Sequence, residues 1–126
     1  MVSISFDKQN NILNVDAEGE IEIMEFLKAF ERIAEYLECG ESFSEIWNLE
    51  KANLNFEVKE LLWLAQEEQH LKIVKPGTKS AIITNSKRTE DTIREYEILA
   101  KEVGYDTRIV HSREIAFEWI TQGEES

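Results

Sequence analysis

The hydrophobic period of this chain changes at Gly19, and that change limits the fold more than any other feature. Before it, Ile4 and Phe6 alternate with Ser3, Ser5 and Asp7, and Leu13, Val15 and Ala17 alternate with Asn14, Asp16 and Glu18. The polar, turn-forming stretch Lys8-Gln9-Asn10-Asn11 lies between the two runs. Two period-two runs joined by so short a link predict an antiparallel hairpin with one buried face. After Gly19, which is expected to end the second strand, Ile23, Phe26, Leu27, Phe30, Ile33, Ala34 and Leu37 recur at i, i+3, i+4 and i+7. That spacing is an amphipathic helix, and Gly40 is placed to close it.

The same logic carries along the chain. Phe43 to Leu49 reads as a mostly buried strand through Phe43, Ile46, Trp47 and Leu49. Asn53 and Asn55 are candidate N-caps for a second helix with Val58, Leu61, Leu62 and Ala65 inward. Pro76-Gly77 breaks the chain, and Ala81-Ile82-Ile83 is a short core strand. Ser86 or Thr89 caps a third helix carrying Ile93, Tyr96, Leu99, Ala100 and Val103, which Gly104 stops. Thr107 to Val110 is a last strand, and Ser112 caps a short helix holding Ile115, Ala116, Trp119 and Ile120. The predicted order is ββαβαβαβα in a single domain over 1–121, followed by an acidic tail over 122–126. Strands alternating with helices require right-handed crossovers, so the expected fold is α/β. It is a four- to five-stranded mixed sheet, largely parallel with one antiparallel strand, flanked by helices on both sides. Trp47, Trp63 and Trp119 are expected to fill the core or the helix–sheet seams.

Charge and cysteine content narrow the function. The 26 acidic and 14 basic residues give a net charge of −12, with 42% hydrophobic residues. Such a chain is a poor partner for nucleic acid or an anionic lipid surface, which need clustered cations. The single cysteine, Cys39, forms no intrachain disulfide and no multi-cysteine zinc site. No run reaches the roughly 20 apolar residues of a membrane span, and Met1 to Phe6 lacks the basic start of a signal peptide. The expected location is cytoplasmic.

Several strings resemble the SpoIIAA-like branch of the STAS superfamily, named for sulfate transporters and anti-sigma-factor antagonists. They are Asp16-Ala17-Glu18-Gly19-Glu20-Ile21, then Ile46-Trp47-Asn48-Leu49-Glu50-Lys51-Ala52-Asn53-Leu54, then Arg94-Glu95-Tyr96-Glu97-Ile98-Leu99-Ala100. The resemblance spans essentially the whole chain, and its motifs are loose patterns, so it implies the fold more than the function. In the phospho-regulated antagonists, a serine just before the helix that follows the third strand is phosphorylated by a partner kinase. The matching stretch here, Asn53-Leu54-Asn55-Phe56-Glu57-Val58-Lys59, holds no serine, threonine or glycine, so the switch does not carry over. Glu57 stands either as a phosphoserine mimic or as ordinary complementation of a helix dipole. The resemblance still implies a small non-enzymatic regulatory module that meets a protein partner near Asn53, Asn55, Glu57 and Lys59.

The residues themselves show no catalytic constellation. There is no Gly-x-Ser-x-Gly elbow, Walker loop or GxGxxG. Cys39 sits between Glu38 and Gly40, without the cationic neighbour that activates a thiolate. His70 ends the acidic run Glu67-Glu68-Gln69, and the pair Glu67 and His70 lacks a third metal ligand. No metal and no cofactor is implied. One stretch goes against the acidic background: Gln69 to Thr89 carries Lys72, Lys75, Lys79, Lys87 and Arg88 and no acid. A strand of roughly 17 Å separates the first three bases from the last two. Ligands of open α/β sheets bind outside the carboxyl ends of the parallel strands. That edge offers Asn85, Ser86, Arg88, His111, Ser112 and Arg113, beside helix N-termini with free N–H groups. The alternative function is therefore a carrier or sensor of a small anionic molecule such as a nucleotide or lipid. On the structural alternative, Ser86 and Ser112 simply cap helices. The chain is expected to be a monomer or a homodimer.

Overall fold

A computed structural model of the chain describes residues 1–38, 43–57, 59, 60, 63, 66, 79–102 and 106–122. Its elements are β1 (Val2–Asp7), β2 (Ile12–Ile21), α1 (Ile23–Glu38), β3 (Ser44–Leu54), β4 (Lys79–Ile83), α2 (Lys87–Glu102), β5 (Asp106–Val110) and α3 (Arg113–Thr121). Lys59, Glu60, Trp63 and Gln66 are also helical, which places helix between β3 and β4. Cys39, Gly40, Val58, Leu61, Leu62, Ala65, His70, Lys72, Lys75, the Pro76-Gly77 breaker, Val103, Gly104 and residues 123–126 lie outside the described residues. So do the side chains of Leu37, Leu99 and Ala100.

The five strands form one sheet in the order β1-β2-β3-β4-β5. β1 and β2 pair antiparallel from Val2↔Ala17 to Asp7↔Ile12, and all later pairs are parallel. The hairpin turn is held by the Asp7 carboxylate, which accepts the backbone N–H groups of Gln9 and Asn10 at 3.0 and 3.2 Å. Asn11 takes a left-handed φ of 59°, a conformation asparagine tolerates.

Because the parallel strands advance in one direction, right-handed crossovers put α1 and α2 on the same face. Phe26, Ala29, Phe30 and Ile33 of α1 and Ile93 of α2 pack there on Leu13, Val15, Trp47, Leu49 and Ile82. α3 turns back from the edge strand β5 onto the other face. There Ala116 and Trp119 pack on Ile12, Ile46, Ala81, Ile83 and Val110. The Trp119 ring also carries Lys79 and Arg108 over it, at 5.5 and 4.6 Å from its centroid. Trp47 and Trp119 fill the interior as their patterns imply, but Trp63 is 39% exposed and is no core residue. Its apolar neighbours in the sequence suggested a broader buried face than this ring joins.

Two strand boundaries differ from expectation. β2 runs past Gly19 to Ile21, and β3 runs past Leu49 to Leu54. Ladder pairing decides this. The β2–β3 register shifts between Asp16 and Glu18, then resumes with Glu18↔Lys51, Gly19↔Ala52, Glu20↔Asn53 and Ile21↔Leu54. Gly19 takes a φ of 80° within this segment, open only to glycine without strain. β4 pairs with β3 only from Glu45 to Asn48. The far ends of β2 and β3 thus project beyond the sheet as a two-stranded ribbon.

Candidate functional site

The ribbon has a packed face and a polar face. Ile21, Leu54 and Phe56 are buried against α1, with the Phe56 ring edge-on to Phe26 at 5.4 Å. Glu18, Glu20, Lys51 and Asn53, which alternate with that apolar set, are all exposed. Asn53 and Asn55 are not helix caps. Asn53 lies in the ladder and donates its side-chain amide to Glu20. Asn55 donates its backbone N–H to the Ile21 carbonyl at 2.9 Å and its amide to Glu22 at 2.6 Å. Both asparagines thus brace β3 against β2. The cap role passes to Glu57, whose backbone N–H is accepted by the Glu60 side chain at 3.1 Å, while its carbonyl accepts the Glu60 N–H at 3.0 Å. The Glu57 and Lys59 side chains are exposed. Of the four proposed partner-facing residues, two build the ribbon and two stand beside it at a helix start.

The second group of candidates surrounds the carboxyl ends of β4 and β5. Ser86 accepts the Thr89 N–H at 3.3 Å, and Ser112 accepts the Ile115 N–H at 3.2 Å, so both hydroxyls cap helices. Asn85 donates to Glu50 at 3.0 Å and reaches the His111 carbonyl at 3.5 Å, tying the segments that follow β4 and β5 to β3. His111 Nδ1 lies 3.0 Å from the Thr84 carbonyl and donates to it. The two arginines part company. Arg88 starts α2 and meets Asn53 Oδ1 in a long 3.5 Å contact. Arg113 starts α3 on the other face of the sheet, donating to Asn14 and Asp16 at 3.0 Å each. The structure therefore brings Asn85, His111 and Ser112 together and directs Arg88 and Arg113 to separate acceptors.

The ribbon escaped the sequence reading, although its signal was present. Ala17, Gly19 and Ile21 keep the period of two, as do Ala52 and Leu54. The charged residues between them look like a loop until the two strands are paired. Among the described residues, no group of three or more His, Cys, Asp and Glu is arranged to hold a metal ion. No described helix is long and apolar enough to cross a membrane.

The fold is SpoIIAA-like. The structure of the anti-sigma factor antagonist SpoIIAA in its unphosphorylated form matches with a TM-score of 0.64 at 12% identity, over 98% of this chain and 100% of that one. An uncharacterised protein of the DUF3478 family with a SpoIIAA-like fold, from Shewanella loihica PV-4, matches with a TM-score of 0.59 at 16% identity. That match covers 95% of this chain and 92% of the other. No family model and no curated protein matches the sequence.

Proposed function

We propose that this chain is a non-enzymatic regulatory module that binds a protein through the projecting ribbon and the helix start beside it, at Asn53, Asn55, Glu57 and Lys59. The observation that carries this reading is the ribbon itself. It is a polar, exposed surface beside the loop that the resemblance to the antagonists implies for partner binding, and its inner face is anchored on α1. The full-length likeness to an anti-sigma factor antagonist supports the class of function. The non-enzymatic part rests on chemistry. Among the described residues, the Ser86 and Ser112 hydroxyls accept helix N–H groups, and the His111 ring faces a carbonyl rather than a nucleophile. A module of this kind works in the cytoplasm, where its partner is a protein of a regulatory pathway.

Native mass spectrometry on the protein purified gently from its own cells tests the reading. A stoichiometric protein complex that Glu57→Lys with Lys59→Glu dissociates is the expected result. A complex indifferent to both changes moves the interface off the ribbon. A defined adduct of small mass, with no protein bound, favours the carrier reading instead. One observation supports that second reading: Asn85, His111 and Ser112 converge beside the N-termini of two helices. Its ligand would be a small anion, with Arg88 and Arg113 drawn from their present acceptors.

A further inference from the structure

The sheet face under α3 carries a groove of about 640 Å³ that the proposed ribbon interface does not use. α1 covers the other side of β1, packing with Val2, Ile4 and Phe6, while α3 lies chiefly over β3, β4 and β5. The groove runs between α3 and the outer part of β2. Ile12 and Ile46 line its base, Phe117 lines the α3 side, and Asp7, Glu114 and Glu118 bring three carboxylates to it. Its far end lies about 26 Å along β2 from the ribbon at Glu20, at the strand rise per residue.

Two features set this groove apart from ordinary solvated surface. Phe117 is 38% exposed and belongs to neither core cluster, because α3 already fills its inner side with Ala116, Trp119 and Ile120. Arg113, the cation among the described lining residues, has its guanidinium directed to Asn14 and Asp16 and so does not neutralise the three acids. Asp7 is fixed by the N–H groups of Gln9 and Asn10 and by the Asn10 amide at 2.9 Å. Glu114 and Glu118 stand four residues apart on one helix, about 6 Å along its axis.

The geometry points to a docking groove for a basic amphipathic helix of a partner protein. A helix lying beside α3 puts one large apolar side chain against Phe117, which removes that ring from water. Lysines or arginines spaced i, i+4 on it then face Glu114 and Glu118, as flanking charges pair between coiled-coil helices. A third cation meets Asp7. The net charge of −12 draws such a segment in from a distance.

The test is an NMR titration of the ¹⁵N-labelled full chain with a short amphipathic Leu/Lys peptide, and with a Leu/Glu peptide of the same pattern. The expected result is saturable shifts centred on Ile12, Asn14, Glu114, Phe117 and Glu118 with the Lys peptide alone. E114Q with E118Q, and separately Phe117→Ala, should weaken binding about tenfold, the loss typical of a central interface contact. E31Q with E35Q, on α1, should change it less than about twofold, since exposed charges far from an interface act only through screening. Both acidic pairs are exposed, so neither exchange threatens the fold. Equal weakening by the α1 pair would reduce the effect to general attraction and overturn the assignment. Shifts spread over α1, or no binding at physiological salt, would do the same.

Discussion

The two faces of the sheet are built to different depths. On the α1–α2 face, Phe26, Phe30, Trp47 and Phe56 make edge-to-face ring contacts at 5.4 to 5.6 Å, drawn from a helix, a strand and a loop. On the α3 face, a thinner layer of Ile46, Ala81, Ile83 and Val110 meets one short helix through Ala116 and Trp119. The cause is topological. Strands that advance in one direction place their crossover helices on one side, and only the helix after the last strand is free to cover the other. Stability therefore concentrates on the first face. The second can carry acids and an exposed ring at little cost.

That contrast can be broken by measurement. Phe30→Ala, at 4% exposure on the deep face, should cost roughly 3–5 kcal/mol in chemical denaturation. A loss below about 1 kcal/mol would place the main core elsewhere. Ala116→Leu, at a fully buried position on the inner side of α3, should cost roughly 1–3 kcal/mol by overpacking. If it costs nothing, the thin face is loose as well as thin. Phe117→Ala, one residue further along the same helix, should stay within about 0.5 kcal/mol, because that ring supports no core.

The smallest effect is electrostatic and belongs to the α3 side. The Asn10 side chain and backbone N–H, aided by the Gln9 N–H and against some desolvation, hold the Asp7 carboxyl below the ordinary aspartate value. Folding therefore favours its ionised form. Its contribution is fully present above the unfolded pKa and is lost as pH falls through the lower folded one. An NMR titration should find the Asp7 midpoint below that of an unstructured aspartate, and Asn10→Ala should move it back up. An unshifted midpoint would mean the turn is not held by this carboxylate.

Much of the fold was legible in the residues. The switch from alternation to i, i+3, i+4 spacing predicts the hairpin, α1 and the mixed sheet, because those periods follow from backbone geometry alone. Ser86 and Ser112 were readable as caps for the same local reason. Trp63 was not readable as exposed, since an apolar residue on a helix looks the same from sequence whether or not something covers it. The candidate site was readable only as a set of loops. Nothing local tells Arg113 that Asn14 and Asp16, about a hundred residues away, will take its guanidinium.

What the sequence determined by itself was the class of fold, because hydrophobic period and turn chemistry are properties of short stretches. What only the tertiary structure decided was where β2 and β3 end and on which face each arginine stands. The ribbon exists because Glu18 to Ile21 found partners in Lys51 to Leu54. A charged stretch becomes strand when a ladder satisfies its backbone, and that ladder is a long-range event.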